Sequence, residues 1–562
     1  MTILKKLIIS LIIPSALSFL LYFLSFNSSK DLSFTTDEPS HIARGVMLIR
    51  TGDYRINQHH PILFNVLESI PIAYDIDFKG EDLNSDNWKY AKKDDIAMNL
   101  VWINGGREAY SLNFLVQARQ VSAALSALLL FISYQLVLKL FSFKYAFLSI
   151  FLLSLSPTVL AHSSLVTTDV PAMFTIFIAT LSLYYDLRKT KKDERHFPWL
   201  FTFTALIALL SKYTATLLIP FWVLIYGWVL SHHFKLNSKR VLINCIGIIA
   251  VWLFLLTAAY GFKFTTIYEA DYGNTGKVYS TYDHIYTIDR ILPFDNLPFL
   301  DTIYRKVKFP FPEYLKGFYD NVIKHNFHGH KTYLLGHSFN GGNPLYFPVS
   351  FLIKETLPFI LLSLFSVTYA LVLLYKNFKL FMKNKGYYLP LLAIPTVLTF
   401  LSLASSINIG VRHLLPIYPF LCLLIAYVVS ILIEKYKSRL FILLLTILLT
   451  AHLLVVIRAF TNYLEYFNEI TGGTKNGYLY LHGSNLDWQQ ERFYQENKQA
   501  ELGVESYIVY PKEDISSNSK SLSTWQRCLR YKYFKGDVKP ESILKNHYFI
   551  FRVEDKKSLC VF

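Results

Sequence analysis

Long apolar runs separated by polar loops dominate the pattern of this chain. A run of about 20 apolar residues is long enough to cross the hydrocarbon core of a bilayer as a helix. The first such run follows two lysines and precedes no small-residue cleavage site, so it predicts a retained helix rather than a signal peptide. The pattern predicts about eleven spans, at residues 7–26, 121–141, 145–160, 170–185, 198–210, 214–230, 241–260, 356–375, 389–403, 414–433 and 440–456.

Several of these runs are shorter than an ideal span, notably residues 198–210, so one pair of them could instead form a re-entrant hairpin. Composition agrees with a membrane protein, because 53% of the 562 residues are hydrophobic and 16% are aromatic. A soluble multidomain protein of this length would be far more polar. We therefore expect a mostly α-helical, polytopic membrane protein.

The basic residues, which give a net charge of +16, lie mainly in short loops between the apolar runs. The positive-inside rule requires them there on the cytoplasmic side, so the charge does not indicate a nucleic-acid partner. This count predicts a cytoplasmic N-terminus and two long outward loops, residues 27–120 and 261–350. An odd number of spans then places the tail after residue 457 outside as well.

The tail, residues 458–562, mixes polar residues with short β-prone runs at residues 507–510 and 548–553. This pattern predicts a small α/β domain after a transmembrane domain that covers residues 1–457. Cys528 and Cys560 lie in this tail and could form a disulfide outside the cytoplasm. Cys245 and Cys422 instead fall inside apolar runs, where a thiol packs as a small hydrophobic group.

Ionisable side chains stand out in the loops predicted to face outwards, next to spanning helices. They are three carboxylates and two isolated cations, namely Asp37, Glu38, Asp169, Lys212 and Arg412. Charged groups at the level of the membrane are costly and usually functional. Transfer of a sugar from a lipid phosphate needs a carboxylate to take the acceptor's proton and cations to stabilise the departing phosphate. The sequence predicts both kinds of group on one face.

Each of these residues also has a structural interpretation. Asp37 precedes Pro39 at the start of a helical pattern, so its side chain could be only an N-cap. Asp169 stands before Pro171 in the same way. Arg412 could simply anchor its helix among the lipid headgroups.

Histidines in the second long loop raise the question of a metal site. His325, His328 and His330 lie close together, but they have no fixed ligand spacing and no nearby cysteine. We expect no cofactor, and a divalent metal at these histidines is the less favoured interpretation.

Several short motifs follow one another along the chain. They are TDEPSH at 36–41, HP at 60–61, AHSSLVTTDVP at 161–171, LSKYTA at 210–215, YFP at 346–348, LIKETLP at 352–358, IGVRHLLPIYP at 409–419 and SNLDW at 484–488. In this order they resemble the integral-membrane glycosyltransferases of the GT-C class. The resemblance is to the bacterial branch related to protein O-mannosyltransferases and to the aminoarabinose transferase of lipid A.

This resemblance implies an inverting enzyme, with no metal requirement, that takes its sugar from a polyprenyl phosphate. By position, Asp37 is the catalytic carboxylate, and Glu38 beside it and Asp169 are the further acidic candidates. Residues expected near the carrier phosphate are Lys212, Arg412 and His413, and those expected to support the site are His41, His60 and Tyr213.

The acceptor implied is a hydroxyl group of a lipid, glycan or protein on the outer face of a bacterial cell membrane. The second long loop lacks the soluble module of eukaryotic protein mannosyltransferases, which argues against a protein acceptor. A transporter or lipid flippase is the main alternative, since many helices with charges at the membrane edge would also suit that function. Polar residues clustered on one face, in loops of unequal length, favour interfacial chemistry instead. The pattern does not specify the sugar, the carrier length or the acceptor.

Overall fold

The computed structural model of the chain is predominantly helical, in agreement with the expected fold class. It describes residues 3–56, 58–105, 113–272, 302–303, 305–486, 488, 490, 507–511, 542–544 and 548–552. Cys528 and Cys560 lie outside the described residues, so their disulfide stays a prediction.

Nine helices in the described part of the chain are long and apolar enough to cross a membrane. They are Ile3–Ser29, Asn113–Leu140, Asp169–Thr190, Tyr213–His233, Ser238–Ala259, Leu357–Phe378, Gly386–Ala404, Val411–Tyr436 and Arg439–Arg458. The chain is thus a multi-pass membrane protein. Asp169–Thr190 is the central helix of the bundle, because 94% of its most apolar window is buried, whereas most residues of the peripheral helices face outwards.

Two of the eleven predicted spans correspond to shorter helices, Phe143–Ser154 and Trp199–Leu209. The first is interrupted because Ser156 caps a new helix, Pro157–His162, with proline at its first position. The second is followed by Lys212, which contacts Asp169 at the start of the central helix. Nine of the about eleven predicted spans are therefore helices of spanning length in the described part of the chain, and the runs at 145–160 and 198–210 correspond to shorter helices.

The first long loop forms a helical layer over one end of the bundle. It contains the helices Glu38–Thr51, Leu63–Ala73, Asp86–Lys89 and Lys93–Gly105. Gly45 lies where the first two of these helices touch, and a Cβ atom there would approach the carbonyl oxygen of Asn65 to 2.0 Å. The close contact requires glycine and holds the helix that begins at Glu38 firmly in place.

The second long loop and the segment before the next span add short elements at the same end. The helical ones are Ile267–Tyr272, Pro312–Phe318, the π-helical turn Tyr319–Lys324, His325–His328 and Tyr346–Lys354. Two antiparallel strand pairs accompany them, Thr265–Thr266 with Lys308–Phe309 and Lys331–Leu334 with His337–Asn340.

After the last span the chain returns to this end through the short 3₁₀ turns Glu469–Thr471, Thr474–Leu479 and Gly483–Asn485. Further on, strands at Tyr507–Pro511, Ser542–Leu544 and Tyr548–Arg552 form an antiparallel sheet with the last strand in the middle. Two of these strands coincide with the predicted β-prone runs. A separate C-terminal α/β domain stays a prediction, because most of residues 491–562 lie outside the described part of the chain.

Candidate functional site

Four charged side chains from distant parts of the sequence meet at one end of the bundle. Arg412 Nη1 donates to Asp37 Oδ2 over 3.0 Å and to Asp169 Oδ2 over 3.1 Å. Lys212 Nζ binds the other oxygen of Asp169. The fold therefore brings together two carboxylates and two cations that the sequence predicts on one face.

Asp37 stands in the N-cap position of the helix Glu38–Thr51, as its sequence context suggested. Its side chain, however, makes no capping hydrogen bond with the described residues. It points to Arg412 instead, and 34% of its side-chain surface is exposed. An N-cap side chain stabilises a helix by accepting hydrogen bonds from its first backbone N–H groups, and Asp37 does not do so. Helix capping therefore does not explain why a carboxylate stands at this position.

Glu38, the neighbouring residue, has a different environment. Its two carboxylate oxygens accept from Arg119 over 2.9 and 2.6 Å, and both side chains are completely buried. Thr35 N and Val166 N donate to the same carboxylate. Burial alone would raise the pKa of Glu38, but the charge and hydrogen bonds of Arg119, together with the two backbone N–H groups, outweigh burial and lower it. Glu38 is thus fully engaged in joining the first loop to the bundle.

Arg412 makes two kinds of contact although it is almost entirely buried. Besides the two carboxylates, its guanidinium carbon lies 4.0 Å from the ring centroid of Trp488. Its Nε is buried and has no hydrogen-bond partner among the described residues. An N–H group in this condition is costly unless a ligand pairs with it, so the site contains a donor available to an anion.

Two of the predicted supporting histidines lie beside the carboxylates. His60 Nδ1 is 3.1 Å from Thr168 Oγ1, next to Asp169, and its ring centroid is 4.8 Å from that of His41. His41 Nδ1 is 2.9 Å from Asn65 Nδ2. These contacts fix the two rings against the start of the central helix.

The remaining predicted residues differ in their relation to the four charges. His413 follows Arg412, and its ring stacks on Phe347 with 6.3 Å between the centroids. Tyr213 follows Lys212 but is directed away from the carboxylates, because its hydroxyl donates to the carbonyl oxygen of Gln58 over 2.9 Å. Tyr213 therefore ties a spanning helix to the first loop.

The histidines of the second loop lie near one another without forming a metal site. The ring of His325 has its centroid 5.1 Å from that of His330 and 5.5 Å from that of His59 in the first loop. His328 contacts Phe327 instead. No group of three His, Cys, Asp or Glu residues in the described part of the chain is arranged to hold a metal ion.

Two residues of the site were not singled out as functional by sequence reasoning. Arg119 is a cation in the first half of the apolar helix Asn113–Leu140, and charge in an apolar helix is the signal that would have found it. Trp488 belongs to the SNLDW motif, whose function the sequence does not indicate. Its indole covers Arg412, and its backbone carbonyl accepts from Thr36 N over 3.0 Å.

A protein-family model matches residues 112–259, about a quarter of the chain, and its description is dolichyl-phosphate-mannose-protein mannosyltransferase. The matched segment contains Arg119, Asp169 and Lys212. No curated protein matches the chain by sequence.

Among solved structures, one similar to this chain is the archaeal oligosaccharyltransferase AglB from Archaeoglobus fulgidus, in complex with an inhibitory peptide and a dolichol-phosphate. The two share 13% identity over 94% of this chain and 64% of that chain, with a TM-score of 0.50. ArnT from Cupriavidus metallidurans bound to undecaprenyl phosphate matches over 75% of this chain and 60% of that chain, at 11% identity and a TM-score of 0.39. The chain thus spans less than two thirds of the length of either structure. The fold expected from the motifs, a helical GT-C membrane fold, is confirmed by these findings.

Proposed function

We propose that the chain is a membrane glycosyltransferase that moves a sugar from a polyprenyl-phosphate donor to a hydroxyl group on the outer face of the membrane. The observation that carries the proposal is the meeting of Asp37 and Asp169 with Arg412 and Lys212. One partly exposed carboxylate beside two cations is the set of groups that this reaction needs.

In the proposed reaction, Asp37 accepts the proton of the acceptor hydroxyl while the hydroxyl oxygen bonds to the anomeric carbon. The bond between that carbon and the phosphate oxygen breaks on the opposite side, so the configuration inverts. The bonding electrons leave with the phosphate, whose charge Arg412 and Lys212 stabilise. Asp169 holds the two cations side by side before the phosphate arrives, since each of its oxygens binds one of them.

The unpaired Nε of Arg412 supports a phosphate ligand in particular. A phosphate oxygen that accepts from this N–H would give the buried donor a hydrogen-bond partner. The contacts of Nη1 with Asp37 and Asp169 would both be kept. The carrier is proposed to be a polyprenyl phosphate, the class of the dolichol-phosphate bound by the similar AglB structure. The acceptor is a lipid, glycan or protein hydroxyl.

The test is transfer by the purified protein in lipid, with radiolabelled polyprenyl-phosphate sugars offered together with lipid, glycan and peptide acceptors. Labelled product from at least one pair is expected. The flippase alternative would be favoured if no pair gave a product and labelled lipid moved from one leaflet to the other in vesicles that contain the protein. Mass spectrometry of surface glycans from a deletion strain then identifies the natural acceptor as the glycan that loses a sugar.

A further inference from the structure

The residues Ser484, Asn485, Leu486, Trp488 and Gln490, here called the closing segment, return after the last span to the four charged residues. The segment contacts the loop that precedes Arg412, because Ser484 Oγ donates to the carbonyl oxygen of Ile409 over 2.7 Å. In the next contact, Asn485 Oδ1 accepts from Val411 N over 2.8 Å. The backbone on the N-terminal side of Arg412 is thus held from the tail.

The same segment also holds the backbone that leads to Asp37. Thr36 N donates to the carbonyl oxygen of Trp488 over 3.0 Å, and Ser33 N donates to that of Gln490 over 2.9 Å. The segment is braced internally, since Gln490 Oε1 accepts from Trp488 N and Gln490 Nε2 donates to the carbonyl oxygen of Leu486. One short stretch therefore connects the two residues of the Asp37–Arg412 pair.

Trp488 adds a contact with the cation itself. Its ring lies 4.0 Å from the guanidinium carbon of Arg412, and the residue is only 7% exposed. An aromatic ring over a guanidinium attracts its charge and leaves the N–H groups in the plane free for anions. The ring therefore restricts Arg412 to orientations in which its N–H groups are directed towards the carboxylates and the proposed phosphate position.

The closing segment and the loop before Arg412 also approach each other closely. A Cβ atom on Gly410 would lie 2.0 Å from Ser484 Oγ, so a larger residue at position 410 would displace the hydroxyl group that donates to Ile409. We propose that Trp488 is a positioning residue, which holds Arg412 and Asp37 in the mutual geometry that sugar transfer requires. This inference rests on the function proposed above.

The experiment compares Trp488→Leu with Trp488→Phe, which keeps an aromatic ring. Trp88→Leu is the matched control, because Trp88 is 8% exposed and lies 6.0 Å from an arginine, Arg55, in the first loop. Trp488→Leu is expected to lower kcat/KM about 2-fold to 30-fold, the range of a desolvated cation–π contact. Trp488→Phe should retain most activity, and Trp88→Leu should match the wild type. Melting curves identify any variant that fails to fold.

A double-mutant cycle separates positioning from packing. In an Arg412→Gln background, Trp488→Leu should cost little further activity, because the cation that the ring orients is gone. An equal loss in both backgrounds would overturn the inference, since it would show that Trp488 acts independently of Arg412.

A second measurement does not depend on sugar transfer. Modification of Arg412 by phenylglyoxal, followed by peptide mass spectrometry, should be several-fold faster in Trp488→Leu than in the wild type or Trp88→Leu. Equal rates would show that the ring does not cover Arg412 and would overturn the inference. The wild-type protein could lack transfer activity while the modification rate of Arg412 still depends on Trp488. That result would confirm the contact but overturn both the proposed function and the positioning role.

Discussion

Replacement of Asp37 by asparagine should stop sugar transfer and leave the fold and carrier binding intact. Asparagine keeps the shape of the side chain but cannot take a proton at neutral pH. Loss of a general base typically costs about a hundredfold to ten-thousandfold in rate, which corresponds to roughly 3 to 5 kcal/mol of activation free energy.

The effect on stability should be far smaller, for reasons visible in the structure. The side chain of Asp37 is 34% exposed and its described hydrogen bond is the one to Arg412 at 3.0 Å. Because solvent reaches Asp37 but hardly Arg412, we expect the loss of this ion pair to cost about 1 kcal/mol of the free energy of unfolding, the upper end for exposed pairs. Arg412 also keeps its contact with Asp169 in the variant.

Asp53→Asn is the matched control in the same loop. Asp53 is also paired with an arginine, Arg55, over 2.7 Å, and 21% of its side chain is exposed. The assay measures single-turnover transfer from a radiolabelled polyprenyl-phosphate sugar, with melting curves and carrier binding recorded for each variant. Near-normal turnover by Asp37→Asn would refute Asp37 as the base. Asp169 would then be considered before Glu38, because Asp169 contacts Arg412 and Lys212, whereas the partner of Glu38 is Arg119.

Four further predictions concern three charged or titratable residues and the topology of the chain. Arg412→Ala should raise the KM for the donor as well as lower kcat, because the lost charge meets the phosphate before and during departure; saturation kinetics with an unchanged KM would contradict this. Glu38→Gln should cost roughly 3 kcal/mol or more of stability, because it leaves the completely buried Arg119 without its counter-charge, and a melting temperature equal to that of the wild type would count against it. Burial lowers the pKa of His41 below 6.5, so as the pH falls the unfolded chain binds a proton at this residue before the folded chain does. The melting temperature should therefore fall as the pH drops below 6.5, and it should fall less steeply in His41→Gln. An identical pH dependence in His41→Gln would exclude a contribution of His41 to the pH dependence of stability. A phosphatase fused to the C-terminus should be active because the short-loop charges predict that this end lies outside, and activity of a cytosol-restricted reporter there would disprove the topology.

The sequence predicts the membrane-spanning architecture well, because hydrocarbon thickness imposes a length on every apolar run. Even the short run at 198–210 corresponds to a helix, Trp199–Leu209, and Lys212 just beyond it contacts Asp169 at the start of the central helix. The division of residues 145–160 into two helices depends instead on a local serine cap, which a count of hydrophobic residues does not detect.

The candidate site is less accessible to sequence reasoning. Asp37 and Glu38 are adjacent and chemically alike, and what separates them is Arg119, which lies 81 residues beyond Glu38 in the sequence. The neighbours Lys212 and Tyr213 likewise point to different partners, a carboxylate and a backbone carbonyl. Such distinctions arise from tertiary contacts, which neither spacing nor residue type specifies. The resemblance to a family orders the candidates but does not provide these contacts.

The Asp37–Arg412 contact joins residues 375 positions apart, with consequences for how the protein is made. If the helices enter the bilayer in sequence order, Asp37 reaches its side of the membrane long before its partner is synthesised. Until the helix Val411–Tyr436 is inserted, the nascent protein lacks this cation, and until residue 488 follows, Arg412 lacks its aromatic cover. A chain whose synthesis stops before residue 488 thus lacks part of the proposed site. The membrane contains the complete cluster only after the residues from 37 to 488 have been synthesised.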